Sequence, residues 1–208
     1  MYTPAHFRVT DRAILHGVMD RFSFATLVTT HDGHPLATHL PFLVYPDGEH
    51  GTLISHMACA NEQWTDFARG DEALVIFQGQ HAYISPSWYE AHPNVPTWNY
   101  VAVHAYGAPR VIEDEVRIRD TLRALVDKHE AGFDEPWPMD LPEEYVRKMA
   151  RGIVAFEVPI ARLEGKFKLS QNRSARDWDG VVTALAGSGD PIDRELAALM
   201  WASSGAEA

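Results

Sequence analysis

The chain has 208 residues, 46% of them hydrophobic, enough to bury a core as one large domain or one domain with a helical appendage. Its formal net charge of −11 argues against a dedicated DNA-binding module, since Lys and Arg contacts to phosphate supply most non-specific nucleic-acid affinity. A lone cysteine, Cys59, excludes an internal disulfide and a Cys-rich zinc site and fits a reducing cytoplasm.

MYTPAHFRVTDR at the N-terminus lacks an apolar run of signal-peptide length, and no stretch approaches the ~20 apolar residues of a membrane span. FATLVTT at 24–30 reads as a strand, Asp32-Gly33 as a hairpin turn, and PLATHLPFLVY as the partner strand. Pro46-Asp47-Gly48 makes a second turn into TLISHM, so three strands in a meander are expected. Asn61 suits a helix N-cap, with Trp64, Phe67 and Ala68 on one face and Gly70 as the stop. ALVIFQGQHAYISPSWY returns to strand character, and SWYEAHPNVPTWN at 87–99 is an irregular aromatic segment of the kind that often carries function.

YVAVHAYGAPRVI reads as a further strand. Residues 113–130 read as a helix with Val116, Leu122, Leu125, Val126 and His129 roughly aligned, and Pro142 suits the first turn of another. GIVAFEVPI is a buried-looking strand followed by LEGKFKLSQNR. From 174 onward two helices are expected, parted by GSGDP and capped by Asp190. Helix and strand patterns together predict an α+β fold.

Three places invite chemistry. The passage from TLISHM into the helix at Asn61 presents backbone N–H groups beside Ser55, His56 and Asn61, an anion-binding arrangement, although a normally capped helix whose polar residues face water is the simpler reading of those residues alone. In LEGKFKLSQNR, Lys166, Lys168 and Arg173 form a positive cluster; if the segment is extended, Lys166, Lys168 and Ser170 share one side. Trp88, Tyr89, Trp98 and Tyr100 offer stacking surface for a planar ring, or are simply core. An anion site with aromatic walls suggests a phosphorylated ring cofactor.

MYTPAHF at 1–7, ATHLPF at 37–42, ACANEQW at 58–64, VIFQGQHAYISPSWY at 75–89, VPTWNYVAVHAYG at 95–107 and LEGKFKLSQNR at 163–173 resemble the PaiB family, described as flavin-mononucleotide-binding and as negative transcriptional regulators. The resemblance implies an antiparallel split β-barrel with peripheral and C-terminal helices, related to the pyridoxamine-phosphate oxidase group. It implies a flavin-binding domain at 1–173, with 174–208 as a helical extension packed on the barrel or on a dimer interface. The cofactor implied is FMN, held at the interface of a homodimer. Ala37, Thr38, His39 and Leu40 would run beside the isoalloxazine, and Ser55, His56, Ala60 and Asn61 would surround the phosphate. Trp98 and Tyr100 would reach the ring from the partner subunit, and Lys166 and Lys168 would add positive charge. Two positions depart from the family pattern: Gln80 stands where proline is expected, and Cys59 where an arginine could contact the phosphate.

The histidines, among them His39, His56, His81, His92 and His104, lack the spacing that sets two metal ligands on one helix face, so no metal is expected. Related split barrels hold haem, yet nothing selects an axial ligand here. No GxSxG elbow supports hydrolase chemistry. Two roles remain: a flavin-binding regulator with no visible helix-turn-helix, and an FMN-dependent oxidoreductase whose chemistry belongs to the cofactor, with His39 or Tyr100 as a proton donor.

Overall fold

A computed structural model describes residues 1–204. After a short 3-10 turn, Ala5–Phe7, the chain forms β1 (Arg8–Val9), α1 (Arg12–Arg21), β2 (Phe24–His31), β3 (His34–Pro41), β4 (Leu43–Tyr45) and β5 (Thr52–Ala58). A 3-10 helix, Glu62–Arg69, leads to β6 (Ala73–Ile84), a 3-10 turn at Pro86–Trp88, β7 (Thr97–Gly107) and β8 (Arg110–Val111). Then follow α2 (Glu115–Glu130), α3 (Glu143–Ala150), β9 (Ile153–Pro159), β10 (Arg162–Lys168), α4 (Ala175–Ala186) and α5 (Pro191–Ser203). The chain divides into two compact units, one of Met1–Asp11, Gln78–Val103 and the segment from Glu164 onward, the other of Arg12–Phe77 and His104–Leu163. β6 and β7 pass from one unit to the other.

In the Arg12–Phe77/His104–Leu163 unit the expected hairpin forms. Asp32 and Gly33 take φ of 48° and 80°, as the tight turn requires, and β2 pairs with β3 from Phe24↔Pro41 to His31↔His34. β2 also pairs with Leu74–Ile76 of β6, leaving β3 on the edge. PLATHLPFLVY is not one strand. It breaks at Phe42, whose N–H donates to the Ser23 carbonyl at 2.8 Å, and the chain continues as β4 in a second sheet ordered β4-β5-β9-β8. The expected three-strand meander is therefore two pairings in two sheets. The break buries the Phe42 ring against Phe77 and Phe156, and Phe156 packs in turn on Phe67. Burying each such ring contributes ~1.5–3 kcal/mol, which outweighs extending a ladder by one residue.

YVAVHAYGAPRVI likewise divides, β7 ending at Gly107 where a Cβ would stand 2.2 Å from the Pro159 carbonyl oxygen. Asp114 caps α2, which buries Thr121 and Leu125 while Val116 is exposed. Pro142 precedes α3 as its N-cap instead of entering its first turn.

In the other unit, β1 pairs with β10 (Arg8↔Lys166, Val9↔Gly165), and the strand order runs β1-β10-β7-β6. α4 and α5 bury Val181, Val182, Leu185, Leu196, Ala197 and Met200, and Trp178 meets Trp201 edge-on at 5.3 Å. Asp190 caps α5 as expected. Of the segment 174–208 read as an extension, residues 205–208 lie outside the described residues. Asp177 of α4 accepts the Glu90 and Ala91 amides, which fixes the start of the aromatic segment; those amide bonds, above all Ala91's, hold its carboxyl below the usual range. Gln80 is buried and donates to Glu195 of α5 at 3.4 Å.

LEGKFKLSQNR does not stay extended. β10 ends at Lys168, and Ser170 turns left-handed (φ 64°) to place its hydroxyl against buried Asn99, so it leaves the side shared by Lys166 and Lys168.

Candidate functional site: the passage from β5 into the 3-10 helix

Asn61 caps the helix that follows β5, its side-chain carbonyl accepting the Gln63 N–H at 3.2 Å, and left-handed Gly70 ends it. The helix winds with three residues per turn, so residues three apart eclipse. Gln63, Asp66 and Phe67 are buried; of the Trp64–Phe67–Ala68 face that an α-helical period predicts, only Phe67 is. Gln63 Nε2 donates to Thr29 Oγ1 (2.9 Å) and to the Leu36 carbonyl (3.1 Å). Asp66 accepts from His31 Nδ1 at 2.9 Å and stands 3.4 Å from Arg69. These ties fasten the helix to β2 and β3. Sequence reasoning missed Gln63, Asp66 and His31; the signal was the three-residue spacing of Gln63, Asp66 and Arg69 after a cap.

The Asn61 amide Nδ2 donates to Thr38 Oγ1 at 3.0 Å, joining the passage to the middle of β3. Ala37 and His39 are exposed on one face of β3, and His39 stacks on Phe24 at 6.3 Å; Thr38 is half-buried and Leu40 buried on the other. Ser55 is fully buried and donates to the Pro41 carbonyl at 2.6 Å, so its hydroxyl joins β5 to the end of β3. His56, on the opposite face of β5, keeps a buried Nδ1 with no hydrogen-bond partner among the described residues. Burial lowers its pKa, which leaves the imidazole neutral at neutral pH. Ala60 is exposed at the tip of the passage. Cys59 is exposed and free; its N–H bonds the Gly152 carbonyl, and its own carbonyl accepts Trp64 Nε1 at 3.1 Å.

Eight of the expected site residues thus gather in one unit on β3, β5 and the passage, and Trp98, Tyr100, Lys166 and Lys168 belong to the other unit. There, Lys166 is buried, donates to the Tyr2 carbonyl at 3.0 Å and lies 5.2 Å from the Tyr100 ring. Lys168 donates to Thr97 Oγ1 and to the Trp98 carbonyl. Trp98 is 53% exposed beside Tyr83, itself exposed. Among the described residues no three His, Cys, Asp or Glu side chains are placed to hold a metal ion, and no helix is long and apolar enough to cross a membrane.

The profile of a family described as "Putative FMN-binding domain" matches residues 1–162. "Protease synthase and sporulation protein PAI 2" of Bacillus subtilis (strain 168) is 38% identical over 201 residues, 96% of this chain and 96% of that protein. Among solved structures, the FAD and heme binding protein from Mycobacterium smegmatis aligns with TM-score 0.62 at 21% identity over 87% of this chain and 80% of that one. The flavocytochrome Anf3 from Azotobacter vinelandii aligns with TM-score 0.65 at 16% identity over 83% and 75%. At such identities the likeness is one of fold, an α+β antiparallel split barrel with added helices.

Proposed function

The chain belongs to the PaiB family of FMN-binding split barrels, and from that premise we propose that it holds flavin mononucleotide along β3 and the passage from β5 into the 3-10 helix. The observation that carries this is the Asn61–Thr38 hydrogen bond, which brings the two motifs ATHLPF and ACANEQW together in one unit. The donors present suit the cofactor. Exposed Ala60 lies at the tip of the passage, where its backbone N–H can serve a phosphate, and His56 offers a neutral ring with an unsatisfied buried nitrogen. Ala37 and His39 present a small and a planar side chain on the open face of β3, against which a flat ring can lie. Asn61 and Ser55 act as positioning residues, since their side chains are engaged with Gln63, Thr38 and Pro41. The bound flavin supplies electron and hydride transfer; the chain's own residues bind it, orient it and hold its surroundings neutral.

We further propose a cytoplasmic homodimer with the flavin at its interface, to which Trp98 and Tyr100 contribute from the partner subunit. Support comes from the edge strand β3, whose exposed Ala37 and His39 continue onto exposed Phe24 of β2, stacked on His39, a partly apolar edge that proteins normally cover. Sedimentation at micromolar concentration tests this: a dimer is expected, and a monomer in the flavin-loaded state contradicts it.

The role we propose is that of a PaiB-type negative regulator. The net charge of −11 favours action through flavin state or a protein partner over direct contact with DNA phosphates. The other reading, an FMN-dependent oxidoreductase, is favoured by the open approach to Ala37 and His39. Consumption of reduced nicotinamide by flavin-loaded protein separates the two: turnover supports the enzyme, its absence the regulator.

A further inference from the structure

We propose that Arg8, Lys166 and Lys168 form a binding site for a second, phosphate-bearing small molecule distinct from the flavin. Arg8 and Lys166 are directly opposed in the β1–β10 pair, so their side chains rise from the same face, and Lys168 follows two residues on. Like charges placed opposite one another destabilise a sheet, so this arrangement needs a counter-charge. None is present. Arg8 donates to the Thr3 carbonyl, Lys166 to the Tyr2 carbonyl, and Lys168 to the Thr97 hydroxyl and the Trp98 carbonyl, all neutral acceptors. Glu164, the acid on the same face of β10, is paired with the N-terminal amine.

An ammonium has three donors, and Lys166 uses one on a neutral oxygen while only 8% exposed. A buried cation is costly until an anion joins it. Lys168 registers that strain: burial, with Lys166 and Arg173 next, lowers its pKa. Arg173 adds field and no contact, because its guanidinium bonds Asn94 at 2.7 Å and lies over the Tyr89 ring.

The seat is also rigid. Gln171 bridges the Leu169 N–H (2.7 Å) and the Phe167 carbonyl (2.6 Å), and Asn99 holds left-handed Ser170, so the end of β10 is fixed before a ligand arrives. Three cations on one face match a multiply charged phosphate better than a single carboxylate, and the Tyr2 ring near Lys166 flanks an adjoining planar group. The site names the class of second ligand that serves the proposed flavin protein; its binding does not depend on that reading, though its role does.

The test is calorimetric titration of pyrophosphate and of adenosine diphosphate into flavin-free and flavin-saturated protein. Both forms are expected to bind. Arg8→Gln and Lys166→Gln should each weaken binding ~10-fold or more, as expected for loss of a charge-assisted hydrogen bond, and Arg8→Gln should leave flavin affinity unchanged. Arg8 is exposed, so its variant keeps the test valid if the Lys166 variant fails to fold. Lys168→Gln should raise the Tm without phosphate and abolish the further rise that pyrophosphate gives the wild type. Binding that disappears on flavin saturation would assign these cations to the flavin's own phosphate and overturn the proposal. No binding in either form would overturn it too, and normal flavin titration in the same samples would leave the flavin reading standing.

Discussion

Asn61 and Thr38 are joined by a 3.0 Å hydrogen bond from the amide of one to the hydroxyl of the other, and the same Asn61 side chain caps the 3-10 helix through the Gln63 N–H. One residue therefore sets both where the passage begins and where it meets β3.

The two variants Asn61→Ala and Thr38→Val should consequently be non-additive. Asn61→Ala loses the cap and the cross-strand bond, about 1–2 kcal/mol together, while Thr38→Val loses the bond alone. In a double-mutant cycle by urea unfolding, a coupling energy of about 0.5–1.5 kcal/mol is expected. Simple additivity would mean that the bond does not hold the passage to β3.

Gln63 is fully buried and satisfies two groups at once, the Thr29 hydroxyl and the Leu36 carbonyl. Gln63→Leu keeps the apolar bulk but strands both partners, so a loss of about 1–3 kcal/mol is expected. Thr29→Val, which removes only one partner, should cost less. Chemical denaturation of both variants checks the order.

His31 and His56 should make opposite contributions to stability against pH. The hydrogen bond to Asp66, then its charge, raises the His31 pKa above 6.5. Its contribution is thus full below the unfolded value and is lost as pH rises through the raised folded value. Burial lowers the His56 pKa, so the unfolded chain takes up a proton that the folded protein refuses, and stability falls as pH drops below 6.5. His31→Gln should flatten the alkaline side of the stability profile and His56→Gln the acidic side, measured as urea midpoints between about pH 5 and 8. Identical profiles for the two variants would contradict the assignment.

Two helical glycines should answer alanine with opposite signs. At Gly17 in α1 nothing lies within 4 Å of an added Cβ, so Gly17→Ala should stabilise by about 0.5–1 kcal/mol. At Gly180 in α4 the Cβ would stand 2.2 Å from the Trp88 carbonyl oxygen, a backbone atom that cannot rotate away. Gly180→Ala should destabilise by about 1–3 kcal/mol despite its better helix propensity, read as a lower Tm.

Features fixed by local chemistry were legible in the sequence. Asp32-Gly33 turns, Asn61 and Asp190 cap, and Gly70 stops its helix, because each needs only its neighbours. The rest depended on distant partners. Nothing near Phe42 marks the strand break; the pocket for its ring comes from Phe77 and Phe156. Ser170 leaves the extended path for Asn99, 71 positions away. The opposition of Arg8 and Lys166 is a matter of strand register, invisible until β1 meets β10. The buried face of the 3-10 helix was misassigned for a smaller reason, a period of three read as 3.6.

The central claim, a flavin seat on β3 and the β5 passage, is tested most directly by titrating FMN fluorescence with the protein and its Asn61→Ala and Arg8→Gln variants. Saturable quenching by the wild type is expected, weakened ~10-fold by Asn61→Ala as its positioning bonds are lost, and unaltered by Arg8→Gln. Absence of quenching, or an Asn61→Ala variant that binds FMN as tightly as the wild type, would contradict it.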